Sequence, residues 1–205
     1  MTIETRKIEK HWNYLLAIEN DLTELSRYVE FDEKNFECFS IEIARILLTS
    51  AAEVDVVCKQ ICRKIKPMLK AKDLEKLKIH GYRDTIKPVF PGVPQFEVSM
   101  LRFGLKLHPW EEWSGRRVNP RWWCAYNKVK HQRDSEYEMA NLKNALNAVA
   151  GLFVMVLYLY KEKAKLGELV PSPQLLHVGA EHWGGMNVGG LNSAPLMFFR
   201  ILPNM

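Results

Sequence analysis

Ala148-Val149-Ala150-Gly151-Leu152-Phe153-Val154-Met155-Val156-Leu157-Tyr158-Leu159-Tyr160 carries no charged side chain and no proline. A helix apolar on all sides is either a membrane span or one enclosed by other helices. This run is shorter than the roughly 18 residues that a bilayer crossing requires, and charged helical sequence precedes it. It is read as the core of a helical bundle, inside a final long helix from Tyr137 to Lys165, and not as a transmembrane span.

Working outward, Phe36, Phe39, Ile43, Ile46-Leu47, Ala51, Val54, Val57-Cys58, Ile61 and Ile65 recur at three- and four-residue steps without Gly or Pro. That period predicts a long amphipathic helix ending at Pro67, whose ring and missing N–H stop it. Ile8, Trp12, Leu15, Leu16, Leu22 and Leu25 predict a first helix between Thr2 and Glu30. Asp73 to Lys87 predicts a shorter, basic one, with a break at Gly81. Residues 88–119 are rich in Pro and Gly, and Phe96-Glu97-Val98 and Leu105-Lys106-Leu107 alternate as short strands do, so an irregular insertion with a hairpin is expected. At Asn119-Pro120 a favoured N-cap precedes a residue suited to the first helical position, opening a helix to about Arg133 with a break at Asp134-Ser135. The expected fold is mainly α: a helical bundle over 1–165 interrupted at 88–119, with a small β appendage. A Gly/Pro-rich extension, 166–205, is expected to pack short strands on the bundle.

Of 205 residues, 47% are hydrophobic and 26% charged, which excludes wholesale disorder. Four cysteines, Cys38, Cys58, Cys62 and Cys124, form no disulfide framework at this length. Cys58 and Cys62 share a helix face, but no second pair or nearby His completes a zinc site, so no metal and no cofactor is expected. The N-terminus lacks an apolar signal core, and a cytoplasmic protein without membrane association is expected. The net charge of +5 is uneven: residues 59–133 hold 18 Lys or Arg against 6 Asp or Glu. Such clustering is either a footprint for a polyanion or a solvated helix face.

The densest group of unusual residues is Arg121-Trp122-Trp123-Cys124-Ala125-Tyr126-Asn127-Lys128-Val129-Lys130-His131-Gln132-Arg133. Asn127 and His131 are i,i+4 neighbours, as are Tyr126 and Lys130, and Arg133 falls about two turns from Tyr126. An amide, an imidazole and cations on one face can bind a phosphodiester, polarise its oxygens and donate a proton. The competing reading makes Asn127 and His131 inter-helix partners, with Trp122 and Trp123 anchoring the helix in the core. Glu53, amid the apolar stretch of the second helix, is either surface-exposed or in need of a partner, and in the second case it is a candidate to orient Asn127, Lys130 or His131. Arg121, Lys128, Lys130 and Arg133 are candidate substrate-binding cations, with His131, Asn127 and Tyr126 as candidate catalytic groups. The other histidines have no metal spacing, and Gly184-Gly185 and Gly189-Gly190 make no phosphate-loop signature.

Ala51-Ala52-Glu53-Val54-Asp55 on one helix, then Tyr126-Asn127-Lys128-Val129-Lys130-His131 on a later one, then a long apolar helix, resembles the HEPN superfamily of bacterial and phage-associated helical domains. The resemblance spans residues 1–165 outside the insertion. The family motif is an arginine, usually a polar residue after it, and a histidine four to six residues on. Paired across a homodimer, it forms a metal-independent endoribonuclease site. Asn127 and His131 match the polar residue and the histidine, whereas Tyr126 stands where the arginine belongs and Arg121 is too far back. A phenol lacks the charge and the bidentate grip of a guanidinium, so Lys130 or Arg133 would have to substitute. The resemblance implies an RNA-directed homodimer of the defence or toxin type, with His131 as acid/base and Asn127 as orienter, and it leaves room for an antitoxin-like protein partner. The alternative is a noncatalytic helical module that binds protein or nucleic acid through its basic face.

Overall fold

A computed structural model describes residues 8–115 and 118–179; among these, eight α-helices and a two-stranded antiparallel sheet make a mainly helical fold. The first stripe forms α1, Lys10–Leu25, and residues 1–7 lie outside the described set. The second forms α2, Ile41–Ile65, begun by the Ser40 side chain, which accepts from the Ile43 N–H at 3.2 Å. That cap leaves Phe36 and Phe39, expected on the helix, before its start. Phe39 instead bridges to Asn141 and packs edge-on against Tyr137 at 5.5 Å.

The basic stretch after Pro67 is two helices, α3 (Ala71–Glu75) and α4 (Ile79–Ile86), and their gap lies at Lys76–Lys78 rather than at Gly81. The Leu77 carbonyl in that gap accepts from the Tyr82 hydroxyl at 2.9 Å, and the same hydroxyl donates to Asp55 at 2.6 Å. Gly81 lies inside α4, where a Cβ would come within 2.7 Å of Leu77 Cδ2. The insertion contains the expected hairpin, β1 (Val98–Met100) against β2 (Leu105–Leu107), with Gly104 at φ 66° making the turn. His177, in the C-terminal extension, bridges to Ser99 on the other side of β1. Of the strands expected in that extension, this bridge is described; residues 180–205 lie outside the described set.

After α5 (Arg121–His131) and α6 (Arg133–Glu136), the stretch expected as one helix from Tyr137 to Lys165 is divided. A 3-10 turn at Tyr137–Met139 precedes α7 (Leu142–Leu159), and α8 (Lys161–Lys165) follows. The divider is Asn141, whose side chain caps α7 by accepting from the Asn144 N–H at 3.0 Å. α7 is long and apolar enough to cross a membrane, with mean hydropathy 1.6, yet most of it is buried within the fold against α1, α2 and α5.

Two devices bind the irregular segments to this core. The buried Glu19 carboxylate accepts from the backbone N–H groups of Gln174, Leu175 and Leu176 at 2.8–3.0 Å, clasping the extension to α1. Gly151 lets two indoles approach α7: Trp110 Nε1 donates to its carbonyl at 3.2 Å, and a Cβ there would lie 3.0 Å from Trp122 Cζ2. From Trp110 an aromatic ladder runs through Trp122 (5.2 Å) and Trp123 (5.7 Å) to Tyr126 (5.3 Å). It fixes the roll of α5 and therefore which of its side chains face water.

Candidate functional site

α5 starts one residue later than expected. Pro120 is its N-cap, with its carbonyl accepting from Trp123 and Cys124, and Asn119 lies outside with its Oδ1 buried and unpartnered. Trp122, Trp123, Ala125, Tyr126 and Val129 face inward. The helix ends at Gln132 (φ −140°, ψ 44°), whose carbonyl accepts from Ser135 and Glu136 and so begins α6. The break therefore precedes the expected Asp134-Ser135, and Arg133 opens α6 instead of riding α5 two turns from Tyr126. This α5–α6 elbow is the candidate site.

His131 is solvent-exposed at the last position of α5, so it is not a buried inter-helix partner. Asn127 is half-buried and donates to the Trp123 carbonyl one turn back at 2.9 Å, which holds its side chain along its own helix. Tyr126 is buried beneath Lys130, whose ammonium lies 3.3 Å from the phenol oxygen and 5.4 Å from the ring centroid. A cation thus sits beside Tyr126. Lys130 and Arg133 are exposed and form no ion pair among the described residues. Lys128 is paired with Glu136 at 2.9 Å, and Arg121 faces Glu112 at 3.6 Å at the other end of the helix. The structure therefore brings Tyr126, Lys130, His131 and Arg133 to one end of α5 and leaves Arg121 apart.

Glu53 does not join them. Its carboxylate meets His11 Nδ1 at 2.5 Å, and Gln60 Nε2 reaches the other ring nitrogen of His11. With both nitrogens engaged, His11 is a satisfied half-buried histidine tying α1 to α2, and Glu53 is its partner rather than an orienter of Asn127, Lys130 or His131.

A concavity flanks each end of α5. At the C-terminal end, an open groove of about 970 Å³ is lined by Ile41, Arg45, Leu48, Arg133 and Tyr137 among others. At the N-terminal end, a cleft of about 530 Å³ is lined by Glu112, Asn119, Arg121, Cys124, Asn141 and Lys143 among others. Sequence reading missed this second cleft, because its walls come from four separate segments. Burial pushes the Glu112 carboxyl up, and burial with the nearby Glu112 charge pushes the Cys124 thiol up.

No protein-family model, curated protein or solved structure matches this chain. Among the described residues, no three His, Cys, Asp or Glu side chains gather as a metal-binding group. All four cysteines are free.

Proposed function

We propose that this chain is an RNA-directed, HEPN-like protein that holds a phosphodiester at the α5–α6 elbow and cleaves it without a metal. One observation carries the reading: Lys130, His131 and Arg133 stand exposed at a helix break, none of them paired with a carboxylate among the described residues. Cations without internal partners are free to neutralise phosphate oxygens. In the proposed reaction the RNA 2′-oxygen bonds to the adjacent phosphorus as its proton is taken up by a base. The bond from phosphorus to the 5′-oxygen breaks, and His131 supplies the proton that the leaving oxygen needs. Lys130 and Arg133 offset charge on the non-bridging oxygens, and the product is a cyclic phosphate. A second copy of the chain, as the family resemblance implies, brings a second His131 to serve as the base.

The noncatalytic reading is favoured by a different observation, the burial of Tyr126 where the family places its arginine. The two separate in one experiment on a fluorescent single-stranded RNA in EDTA. Cleavage that His131→Ala abolishes while binding persists supports the enzyme. Salt-sensitive binding without turnover supports the module. Wild type that neither binds nor cuts RNA at low salt overturns both RNA readings, and a strict monomer by light scattering at tens of micromolar removes the two-copy site.

A further inference from the structure

The elbow holds little of the basic charge of the middle third. From Arg63 to Lys78 the chain places seven Lys or Arg against two carboxylates, an excess equal to the +5 of the whole protein. These residues form the last turn of α2, the loop after it, α3 and the start of α4. Elsewhere some cations are paired, Arg45 with Asp21 and Glu42, Lys59 with Asp55, Lys106 with Glu97 and Lys163 with Glu9, while unpaired ones such as Lys10, Arg27 and Lys34 are scattered along the described chain. At this corner Arg63, Lys70, Lys72, Lys76 and Lys78 are exposed and enter no ion pair among the described residues. The α2 macrodipole accounts for Arg63 and Lys64 in its last turn. That field fades within a turn, so it does not account for Lys70 to Lys78.

The corner is also placed in register with the elbow. Arg45, in the groove wall beside Arg133, and Arg63 are eighteen residues apart, five full helical turns, so they share one face of α2 about 27 Å apart. Ala52 and Val56 lie on that face between them and are exposed. Among the described residues, no helix covers the line from elbow to corner at these positions.

We propose that the α2–α3–α4 corner is a second phosphate-binding surface, which docks the backbone of an RNA strand whose other part occupies the α5–α6 elbow. The proposal rests on the RNA reading of the elbow and names where most of the affinity comes from. An anionic membrane is the competing polyanion. It is disfavoured because Met68, 93% exposed, is the only strongly exposed apolar side chain in the Arg63–Lys78 stretch, and interfacial binding needs buried apolar area as well as charge.

The test is fluorescence anisotropy of the full chain with a single-stranded RNA of 30 nucleotides between 50 and 200 mM salt. Lys70→Glu/Lys72→Glu/Lys76→Glu is expected to weaken binding at least tenfold at 50 mM and to flatten the log–log salt slope by about two units. Lys-to-Arg replacement at the same three positions should restore both. Strands too short to span the roughly 27 Å between Arg45 and Arg63 should lose the advantage of having both elbow and corner. Unchanged affinity and slope in the triple variant, with wild-type binding intact, would overturn the corner while leaving the elbow reading standing. Binding to phosphatidylserine vesicles but not to RNA would make it a membrane surface instead. Loss of RNA binding in Lys130→Ala/Arg133→Ala alone assigns the affinity to the elbow and removes the corner.

Discussion

Fourteen of the eighteen residues of α7 are buried, whereas from Lys128 to Asp134, across the elbow, Val129 alone is. Each α7 side chain is placed by what surrounds it, and removing or charging one disturbs a packed interior. Across the elbow, the His131 and Arg133 side chains enter no hydrogen bond or ion pair among the described residues and Lys130 rests on Tyr126 from outside: the aromatic ladder and Val129 position the helix, and the polar groups project from it. Folding therefore explains the composition of α7 and leaves that of the elbow to water or to the contact proposed above.

The sharpest way to break this contrast is Val154→Asp. Val154 is fully buried, and an unpaired buried charge costs about 3–5 kcal/mol, a large part of the 5–15 kcal/mol that stabilises a typical domain. The variant should lose its cooperative thermal transition by circular dichroism; a folded protein of unchanged Tm would remove α7 from the core. Next in size is Glu19→Ala. It strips three backbone N–H groups of their acceptor, and each unsatisfied buried donor costs about 1–3 kcal/mol unless water reaches it. We expect a loss of about 3 kcal/mol and faster proteolysis near Gln174. Glu19→Gln, which keeps one carbonyl oxygen, should lose less.

Gly151→Ala tests the ladder that fixes α5. Alanine gains up to about 1 kcal/mol in helix propensity, but its Cβ at 3.0 Å from Trp122 and 3.5 Å from Trp110 overpacks an interior where such crowding costs about 1–3 kcal/mol. The net expectation is a destabilisation of about 1 kcal/mol, read by urea denaturation. A stabilised variant would mean that the indoles can retreat and that the roll of α5 is looser than argued.

What was legible in the sequence follows the same division. The α7 run, the α2 stripe and the hairpin residues were readable because burial imposes a period of 3.6 or 2 that a single chain displays. The ends of elements were not, because caps decide them: Ser40 and Asn141 start helices later than the apolar pattern does, and the Gln132 carbonyl starts α6 early. The sequence left Glu53 either exposed or in need of a partner, and the structure gives it one. That partner is His11, forty-two residues away, and nothing in the spacing could supply a contact made by tertiary packing. Glu19 gave no signal, since a carboxylate in an amphipathic helix looks like a surface residue until the backbone of the C-terminal extension is laid against it.

A smaller effect comes from the thiols and phenols of the α2–α4 contact. Burial pushes the Cys62 thiol from 9.0 up to about 11, and burial with the Asp55 contact raises the Tyr82 hydroxyl. Raised values mean that the unfolded chain loses these protons first, so above the unfolded pKa it binds fewer protons than the folded one. The stability contributed is complete below about pH 9 and is lost as pH rises through the folded value near 11. Tm should hold to about pH 9 and then fall, with a shallower fall in Cys62→Ala. An identical slope in that variant would remove Cys62 as a source.

The smallest expected change is the one that tests the elbow most directly. If Lys130, His131 and Arg133 contribute to contact and not to folding, then His131→Ala and Arg133→Ala should each shift stability by no more than about 0.5 kcal/mol, the ordinary scatter of exposed substitutions. Lys130→Ala removes a charge resting on the Tyr126 ring, an interaction worth about 0.5–1 kcal/mol at an exposed site, so it should sit at the upper edge of that range. Denaturant titration of the three variants beside wild type, at one salt concentration, measures this. A drop of 2 kcal/mol in His131→Ala would show that the imidazole has a structural partner after all, and its exposure would then be no argument for a ligand. Stability held level while RNA binding or cleavage collapses is the outcome that separates a site from a scaffold.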